Sequence, residues 1–112
     1  MKSPAVEIAE ILERGGDADD TLRRVVSALA GRPDVSWAGI AFVEDGALRL
    51  GPAAGDEDEV GRVRVHVNFH DAKVGELWID GTLLEHELDP IAALIAPLVL
   101  IGWDTGGEAW QP

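Results

Sequence analysis

Few side chains in this sequence could act in catalysis or bind a metal ion, and two histidines are the first candidates. His66 and His70 lie four residues apart in a segment of alternating polarity, so both would project from one face of a strand. With Asp71 or Glu76 they could supply the imidazole and carboxylate ligands of a metal site. The competing interpretation is a solvated strand face beside a turn, and it is favoured because His70 falls where the turn is expected. We therefore predict no metal site and no cofactor.

Two acidic motifs also resemble functional sites. Asp-Thr-Gly at 104–106 matches the motif of aspartic proteases, but that chemistry needs two carboxylates sharing a proton, and here the motif follows a helix. A local turn is the favoured interpretation, with Trp103 and Trp110 docking the tail onto the domain. The acidic run at 56–59 lacks the alternating ligands and the glycine of a calcium loop, so we predict a solvated loop.

The remaining catalytic arrangements are missing from the sequence. The chain has no cysteine, which excludes disulfides, thiolate metal ligands and a thiolate nucleophile. It contains no Gly-x-Ser-x-Gly motif and no phosphate-cradling glycine loop. The sequence therefore shows no motif that would place a nucleophilic side chain beside a catalytic base, and we expect that the protein is not an enzyme.

Length and charge restrict the partners. A chain of 112 residues predicts one compact domain, residues 1–112. The formal charge of −12 disfavours nucleic acid, because its binding depends on phosphate neutralisation by Lys and Arg. Glutamates 7, 10 and 13 interrupt the N-terminal apolar residues, so no secretory segment is expected. We therefore predict a cytoplasmic protein that does not bind membranes.

Helical periodicity predicts three helices. The first covers residues 3–14 with Ser3 as its N-cap, and the second is capped by Asp17 or Asp19 and ends at Gly31. The third is predicted from an Asp89 cap to Gly102, and it carries no charge between residues 91 and 101. A helix that is apolar all round must be covered on more than one side, which indicates a core helix with a face left for a partner.

Alternation of period two predicts four strands. They are separated by an Asp-Gly turn at 45–46, the loop at 53–61 and a turn near residue 71, and they cover residues 37–43, 47–50, 62–69 and 73–80.

The register of the second hairpin determines which side chains share a face. A three-residue turn over residues 70–72 would pair Val65 with Leu77, and His66 with Glu76, which matches apolar with apolar. The face turned away from the helices would then gather six side chains: Arg64, His66, Asn68, Glu76, Trp78 and Asp80. Arg62 and Arg64 could hold an anion beside His66, or they could pair with Glu76 and Asp80 across the strands.

Two segments together resemble the GAF domain family. The first, residues 37–55, reads WAGIAFVEDGALRLGPAAG, and the second, residues 72–81, reads AKVGELWIDG and is followed by LDPIA. Within that family the chain is most similar to the free methionine-R-sulfoxide reductases, whose segments run W-A-G-[FI]-Y, L-x-L-G-P-x-x-G and G-x-L-D-I-D. The resemblance implies that the first strand lies beside the fourth, in the sheet order 2-1-4-3.

The chain departs from those reductases at residues on which their chemistry depends. Their catalytic cysteines begin just beyond G-P-x-x-G, where this chain has an acidic loop, and the elements that roof their pocket have no room before Arg62. The pocket tryptophan matches Trp37 and one strand aspartate matches Asp80. The family's tyrosine is replaced by Ala41, and its other aspartate by Trp78. Sulfoxide reduction by a thiolate is excluded because the nucleophile is missing.

These observations predict an α+β, GAF-like fold with a four-stranded antiparallel sheet, order 2-1-4-3, and three helices on one face. The predicted core consists of Leu22, Val25, Val26, Leu29, Ile40, Phe42, Val65, Val67, Leu77, Ile79, Leu94, Ile95, Leu98 and Ile101.

The expected function is a non-catalytic sensory or regulatory domain that binds a small molecule on the opposite face of the sheet. The expected ligand-binding residues are Trp37, Arg64, His66, Glu76, Trp78 and Asp80. The alternative is a homodimeric protein-interaction module without a small-molecule ligand, which the all-round apolar third helix favours.

Overall fold

The computed structural model describes residues 3–58 and 61–101, and these form an α+β fold with a four-stranded antiparallel sheet. The strand order is β2-β1-β4-β3, as predicted. In chain order the elements are α1 (Pro4–Glu13), α2 (Ala18–Ala30), β1 (Val35–Glu44), β2 (Ala47–Gly55), β3 (Val63–Phe69), β4 (Ala72–Gly81) and α3 (Glu85–Ile101).

The first two helices begin at side-chain caps. The Ser3 hydroxyl accepts a hydrogen bond from the Val6 N–H, and the Asp17 carboxylate accepts one from the Asp20 N–H. Each cap satisfies a backbone donor that has no partner inside its helix. The predicted Ser3 cap is therefore confirmed, and of the two aspartates considered for α2 the structure selects Asp17.

The predicted start of the third helix is wrong. Helix α3 begins at Glu85, and Asp89 and Pro90 lie inside it. The Glu87 carboxylate accepts a hydrogen bond from the backbone N–H of Leu84, which is one half of a capping box. A helix start without Ser, Thr, Asp or Asn at the cap position lacks the usual sequence signal, whereas the Asp-Pro pair inside α3 carries that signal.

The first hairpin has the predicted turn but a longer second strand. Asp45 and Gly46 both have positive φ, as a type I′ turn requires. Strand β2 was expected to end at Gly51-Pro52, yet it continues to Gly55. A β-bulge absorbs the break, because one extra residue of β2 lies between the pairs Ala41–Leu50 and Gly39–Ala53.

The second hairpin has the predicted register but not the predicted turn. Val65 pairs with Leu77, and His66 pairs with Glu76, as expected. The turn contains two residues, His70 and Asp71, both with positive φ. The register is kept because a β-bulge at Val74 adds the residue that the turn lacks.

All three helices lie on one side of the sheet. Helix α2 packs on β1 and β2, α3 packs on β3 and β4, and α1 contacts both helices. Most of the predicted core is buried, but Leu94 and Leu98 are only partly buried. Ile101 is 70% exposed, so its assignment to the core is wrong. It lies in the same last turn of α3 as the buried Val99, but two residues further along, and therefore on the side of the helix that faces away from the sheet.

No helix within residues 3–58 and 61–101 is long and apolar enough to cross a membrane. The predicted docking of Trp103 and Trp110, and the Asp-Thr-Gly turn at 104–106, lie outside the described residues.

Candidate functional site

The sheet face opposite the helices, here called the outer face, contains all six side chains predicted to bind a ligand. Strand pairing places Trp37 beside Asp80, Trp78 beside Arg64, and Glu76 beside His66. Trp37, Glu76 and Asp80 are buried and Trp78 is partly buried, while Arg64 and His66 are exposed. The solvent face of an antiparallel sheet is usually polar, so buried carboxylates and indoles make this face unusual.

The Trp37 ring lies across the backbone of Gly39. A Cβ atom at Gly39 would come within 2.5 Å of the Trp37 Cη2 atom and 3.1 Å of a Leu50 methyl group. Because Gly39 has no side chain, there is room for the Trp37 indole over its backbone. The Trp-Ala-Gly sequence at 37–39 thus supplies both the ring and the space for it.

A buried ion pair joins Arg62 to Asp80 above this ring. Arg62 Nε lies 2.6 Å from Asp80 Oδ1, and its Nη2 donates to Oδ2 at 2.9 Å. The side chains are 7% and 1% exposed, respectively. Arg62 also bonds the Glu57 carboxylate at 2.8 Å. This bidentate geometry is the strongest arrangement available to an arginine and a carboxylate.

The short acidic loop folds over the same end of the outer face. The backbone N–H of Asp58 donates to Asp80 Oδ2 at 2.6 Å, and that of Asp56 donates to the Ser36 carbonyl at 2.8 Å. The sequence predicts a solvated loop at residues 56–59, and the side chains of residues 56–58 are indeed exposed. Their backbone, which the prediction did not include, closes the end of the face at which Trp37 lies.

Arginines and indoles alternate across the outer face. The Arg62 Cζ lies 4.4 Å from the centroid of the Trp37 ring and 5.7 Å from that of Trp78. Arg64 Cζ lies 4.6 Å from the Trp78 centroid. Such cation–π contacts attract a guanidinium to the ring face, and they are stronger where water is excluded.

Glu76 is held by donors on both sides. Its carboxylate accepts 2.6 Å and 2.7 Å hydrogen bonds from Lys73 Nζ and Trp78 Nε1. His66 Nε2 is 3.9 Å from the same carboxylate, too far for a hydrogen bond. The glutamate thereby fixes the orientation of the Trp78 ring on which Arg64 stacks.

The surroundings of both carboxylates favour their charged forms. The hydrogen bonds from Arg62 lower the pKa of Asp80, and they outweigh the opposing effect of burial. Burial alone would raise the pKa of Glu76, but the hydrogen bonds from Lys73 and Trp78 bring it below its ordinary value. The same ion pair raises the pKa of Arg62. Both acids are therefore ionised at neutral pH and unsuited to act as general acids.

The other half of the outer face is apolar. Val43, Leu48 and Leu50 are between 36% and 44% exposed, and pairing places Val43 opposite Leu48, beside the pair of Ala41 and Leu50. The outer face thus has a charged end on β3 and β4 and an apolar end on β1 and β2.

Sequence reasoning missed the full role of Arg62. Pairing with Asp80 is one of the two alternatives that the sequence offers for Arg62, but the burial of its side chain and its stacking on Trp37 do not follow from the sequence. The pairing itself could be found from the sequence. Arg62 directly precedes β3, and because Val63 pairs with Ile79, Arg62 falls opposite Asp80. Within residues 3–58 and 61–101, no three histidine, aspartate or glutamate side chains are grouped to hold a metal ion.

Comparison with known proteins supports the fold. No family model matches the chain, and no curated protein matches it. Among solved structures, the type II free methionine-R-sulfoxide reductase from Thermoplasma acidophilum is similar, with a TM-score of 0.62 and 19% identity. The match covers 73% of this chain and 92% of that one. At this identity the likeness concerns architecture, and the chain therefore has a GAF-like α+β fold.

Proposed function

We propose that this protein is a non-catalytic, GAF-like sensory or regulatory domain that binds a small molecule on the outer face of its sheet. The observation that carries the proposal is the alternating stack of Trp37, Arg62, Trp78 and Arg64 beside two buried carboxylates, Glu76 and Asp80. Burying a charged side chain costs free energy, and buried charged groups with shifted pKa values are found most often at functional sites.

The charged end of the outer face offers two different environments. Arg62 and Asp80 satisfy each other and are almost completely buried, so they form the rigid floor. Arg64 and His66 are exposed, and the partly buried Trp78 lies beside them. A ligand would therefore contact Trp78, Arg64 and His66, while Trp37 and Asp80 support them from below.

Binding without catalysis fits the chemistry of this chain. The structural neighbour is named as a methionine-R-sulfoxide reductase, but no cysteine is present anywhere in this sequence. A thiolate mechanism therefore has no nucleophile. The described outer face offers ionised carboxylates, arginines and indoles, which are groups suited to recognition.

A ligand screen read out by NMR tests the proposal. Amino acids, nucleotides and small organic acids would be added singly to ¹⁵N-labelled protein, and the indole N–H of Trp78 would be followed. A supporting result is saturable movement of this signal and of β3 amides, with much weaker binding by Trp78→Leu. Movement confined to α1 and α2 would contradict the assigned site. An inert outer face across a broad library would overturn the proposal.

The second candidate is a homodimeric interaction module, and one specific observation favours it. Helix α3 leaves Leu100 and Ile101 exposed at 50% and 70%, and Pro90, Ala93 and Pro97 continue the exposed stripe. The helix has no charged residue from Pro90 onwards. An uncharged stripe of this length is well suited to a second copy, because the repulsion between two chains of charge −12 would be smallest there.

Sedimentation equilibrium with a charged variant tests the dimer. Ala93→Glu places one charge in the exposed stripe without touching the buried face of α3. If the wild-type chain is a dimer through α3, this variant should dissociate, whereas Leu48→Glu on the outer face should remain dimeric. A wild-type monomer at high concentration would reject this candidate, and a dimer broken only by Leu48→Glu would move the interface to the sheet.

A further inference from the structure

We propose that the small molecule bound by the outer face is an organic anion, and that Arg64 is the residue that holds its carboxylate or phosphate oxygens. This inference rests on the proposed function and names the ligand class for the same site. It begins from the unequal roles that the fold gives to the two neighbouring arginines.

The two arginines divide structural and binding roles between them. Arg62 shares its guanidinium between Asp80 and Glu57, with contacts of 2.6 to 2.9 Å, and only 7% of its side chain is exposed. Arg64 makes no ion pair with any described residue; it contacts the Trp78 ring at 4.6 Å, and its charge helps to lower the pKa of Asp80 from a distance. Arg62 therefore stabilises the fold, whereas the guanidinium N–H donors of Arg64 remain available to a ligand.

The contact with Trp78 prepares Arg64 for an oxyanion. The ring attracts the guanidinium electrostatically and is itself fixed by the 2.7 Å bond from its Nε1 to Glu76. A guanidinium held over a ring loses less side-chain freedom on binding, and its planar fork matches the two oxygens of a carboxylate or phosphate.

Further donors follow Arg64 along the strand. His66 and Asn68 are exposed on the same face of β3, and successive positions of this row lie about 6.6 Å apart along a strand. No acidic side chain belongs to this row, and the nearby Glu76 is already bonded by Lys73 and Trp78. The row therefore presents donors to a ligand that has oxygens at one or both ends.

The overall charge of −12 does not oppose this assignment at close range. Salt screens distant charges over about 8 to 10 Å, so the groups beside Arg64 dominate. Lys73 pairs with Glu76, and Arg62 is shared between Asp80 and Glu57. With the charge of Arg64 these cations balance the three carboxylates. The negative charge elsewhere would reduce non-specific association with polyanions and leave the binding of small anions to Arg64 and the donors beside it.

Calorimetric and NMR titrations with three related probes test the ligand class. Glutarate and glycerol phosphate carry the two kinds of oxyanion, and glutaramide is the neutral counterpart of glutarate. We expect saturable binding of at least one anion and at least tenfold weaker binding of glutaramide. Comparison of glutarate with glycerol phosphate identifies which oxyanion the site prefers.

Three variants separate this inference from the proposed function. Arg64→Gln should weaken anion binding at least tenfold, Arg64→Lys should weaken it several-fold because the fork is lost, and Arg49→Gln should leave it unchanged. Arg49 is a matched control because it is an exposed strand arginine on β2. Binding of neutral ligands that Arg64→Gln does not affect would overturn the ligand class but keep the proposed function. Absence of any binding at the outer face would overturn both.

Discussion

The guanidinium carbon of Arg62 lies 4.4 Å from the centre of the Trp37 ring, with the Asp80 carboxylate bonded to the same guanidinium. Trp37 and Asp80 are the two residues that the GAF resemblance marked as belonging to a pocket. In this chain a side chain of the protein itself covers both of them. The outer face is consequently buried around Trp37 and Asp80, whereas it is open to solvent around Arg64 and His66.

Replacing Asp80 by Asn should destabilise the fold by roughly 3–5 kcal/mol, because a buried arginine loses its principal counter-charge. Urea unfolding followed by tryptophan fluorescence would measure the change. Glu44→Gln is the control, since its bridge to Arg49 is largely exposed and should contribute about 1 kcal/mol or less. Equal effects of the two variants would show that the buried pair does not stabilise the fold.

The free energy of unfolding should fall in acid. Asp80 and Glu76 have folded pKa values below their ordinary values of 3.8 and 4.5, so the unfolded chain binds more protons at low pH. Their contribution is complete well above these ordinary values and is lost as the pH falls through the folded pKa values. Urea midpoints between pH 7 and pH 2 would measure this. The double variant Glu76→Gln, Asp80→Asn should flatten the profile, and an unchanged slope would contradict the assignment.

Gly39→Ala should cost roughly 1–3 kcal/mol, because the new methyl group would meet the Trp37 ring at 2.5 Å and displace it. Near-ultraviolet circular dichroism would report the ring, and urea unfolding the stability. Gly31→Ala is the matched control: at this helix end φ is −79° and the nearest atom lies 3.4 Å from the new Cβ. It should be neutral or stabilising by about 0.4–1 kcal/mol. Similar losses at both positions would refute the packing argument.

Asp71→Gly should stabilise the second hairpin by about 1 kcal/mol. Asp71 has a φ of 68° in a two-residue turn, a conformation that favours glycine. The change keeps His70, whose ring contacts Phe69 at 4.3 Å. Calorimetry should show a rise of about 4 °C in the melting temperature. In the first hairpin Gly46→Ala should have the opposite effect, since Gly46 has a φ of 81°. A lower melting temperature for Asp71→Gly would contradict this view of the turn.

Hydrophobic pattern and turn chemistry predicted most of the fold. The pairing of Val65 with Leu77 follows from matching apolar positions, because a shift of one residue would move the apolar side chains of β3 from the core to the solvent face. The start of α3 was not predictable in this way. Leu84 is not a recognised cap residue, and the hydrogen bond from its N–H to Glu87 becomes apparent only in three dimensions.

The candidate site was predicted as a set of residues but not as an arrangement. Strand alternation placed Arg64, His66, Glu76 and Trp78 on one face. It could not show that Arg62, one residue outside β3, reaches across Asp80 to the Trp37 ring. That contact depends on the path of residues 56–58 and on the space above Gly39, which are tertiary features.

The bulge at Val74 has a consequence for how the length of this chain can change. Because Val74 is the extra residue between the pairs Val67–Gly75 and Asn68–Lys73, its deletion would leave every other pair of the hairpin intact. Deletion of Leu77 would instead move the residues between it and the bulge to the opposite faces. A deletion of one residue in relatives should therefore be tolerated at Val74, because Arg64 remains beside Trp78 without it.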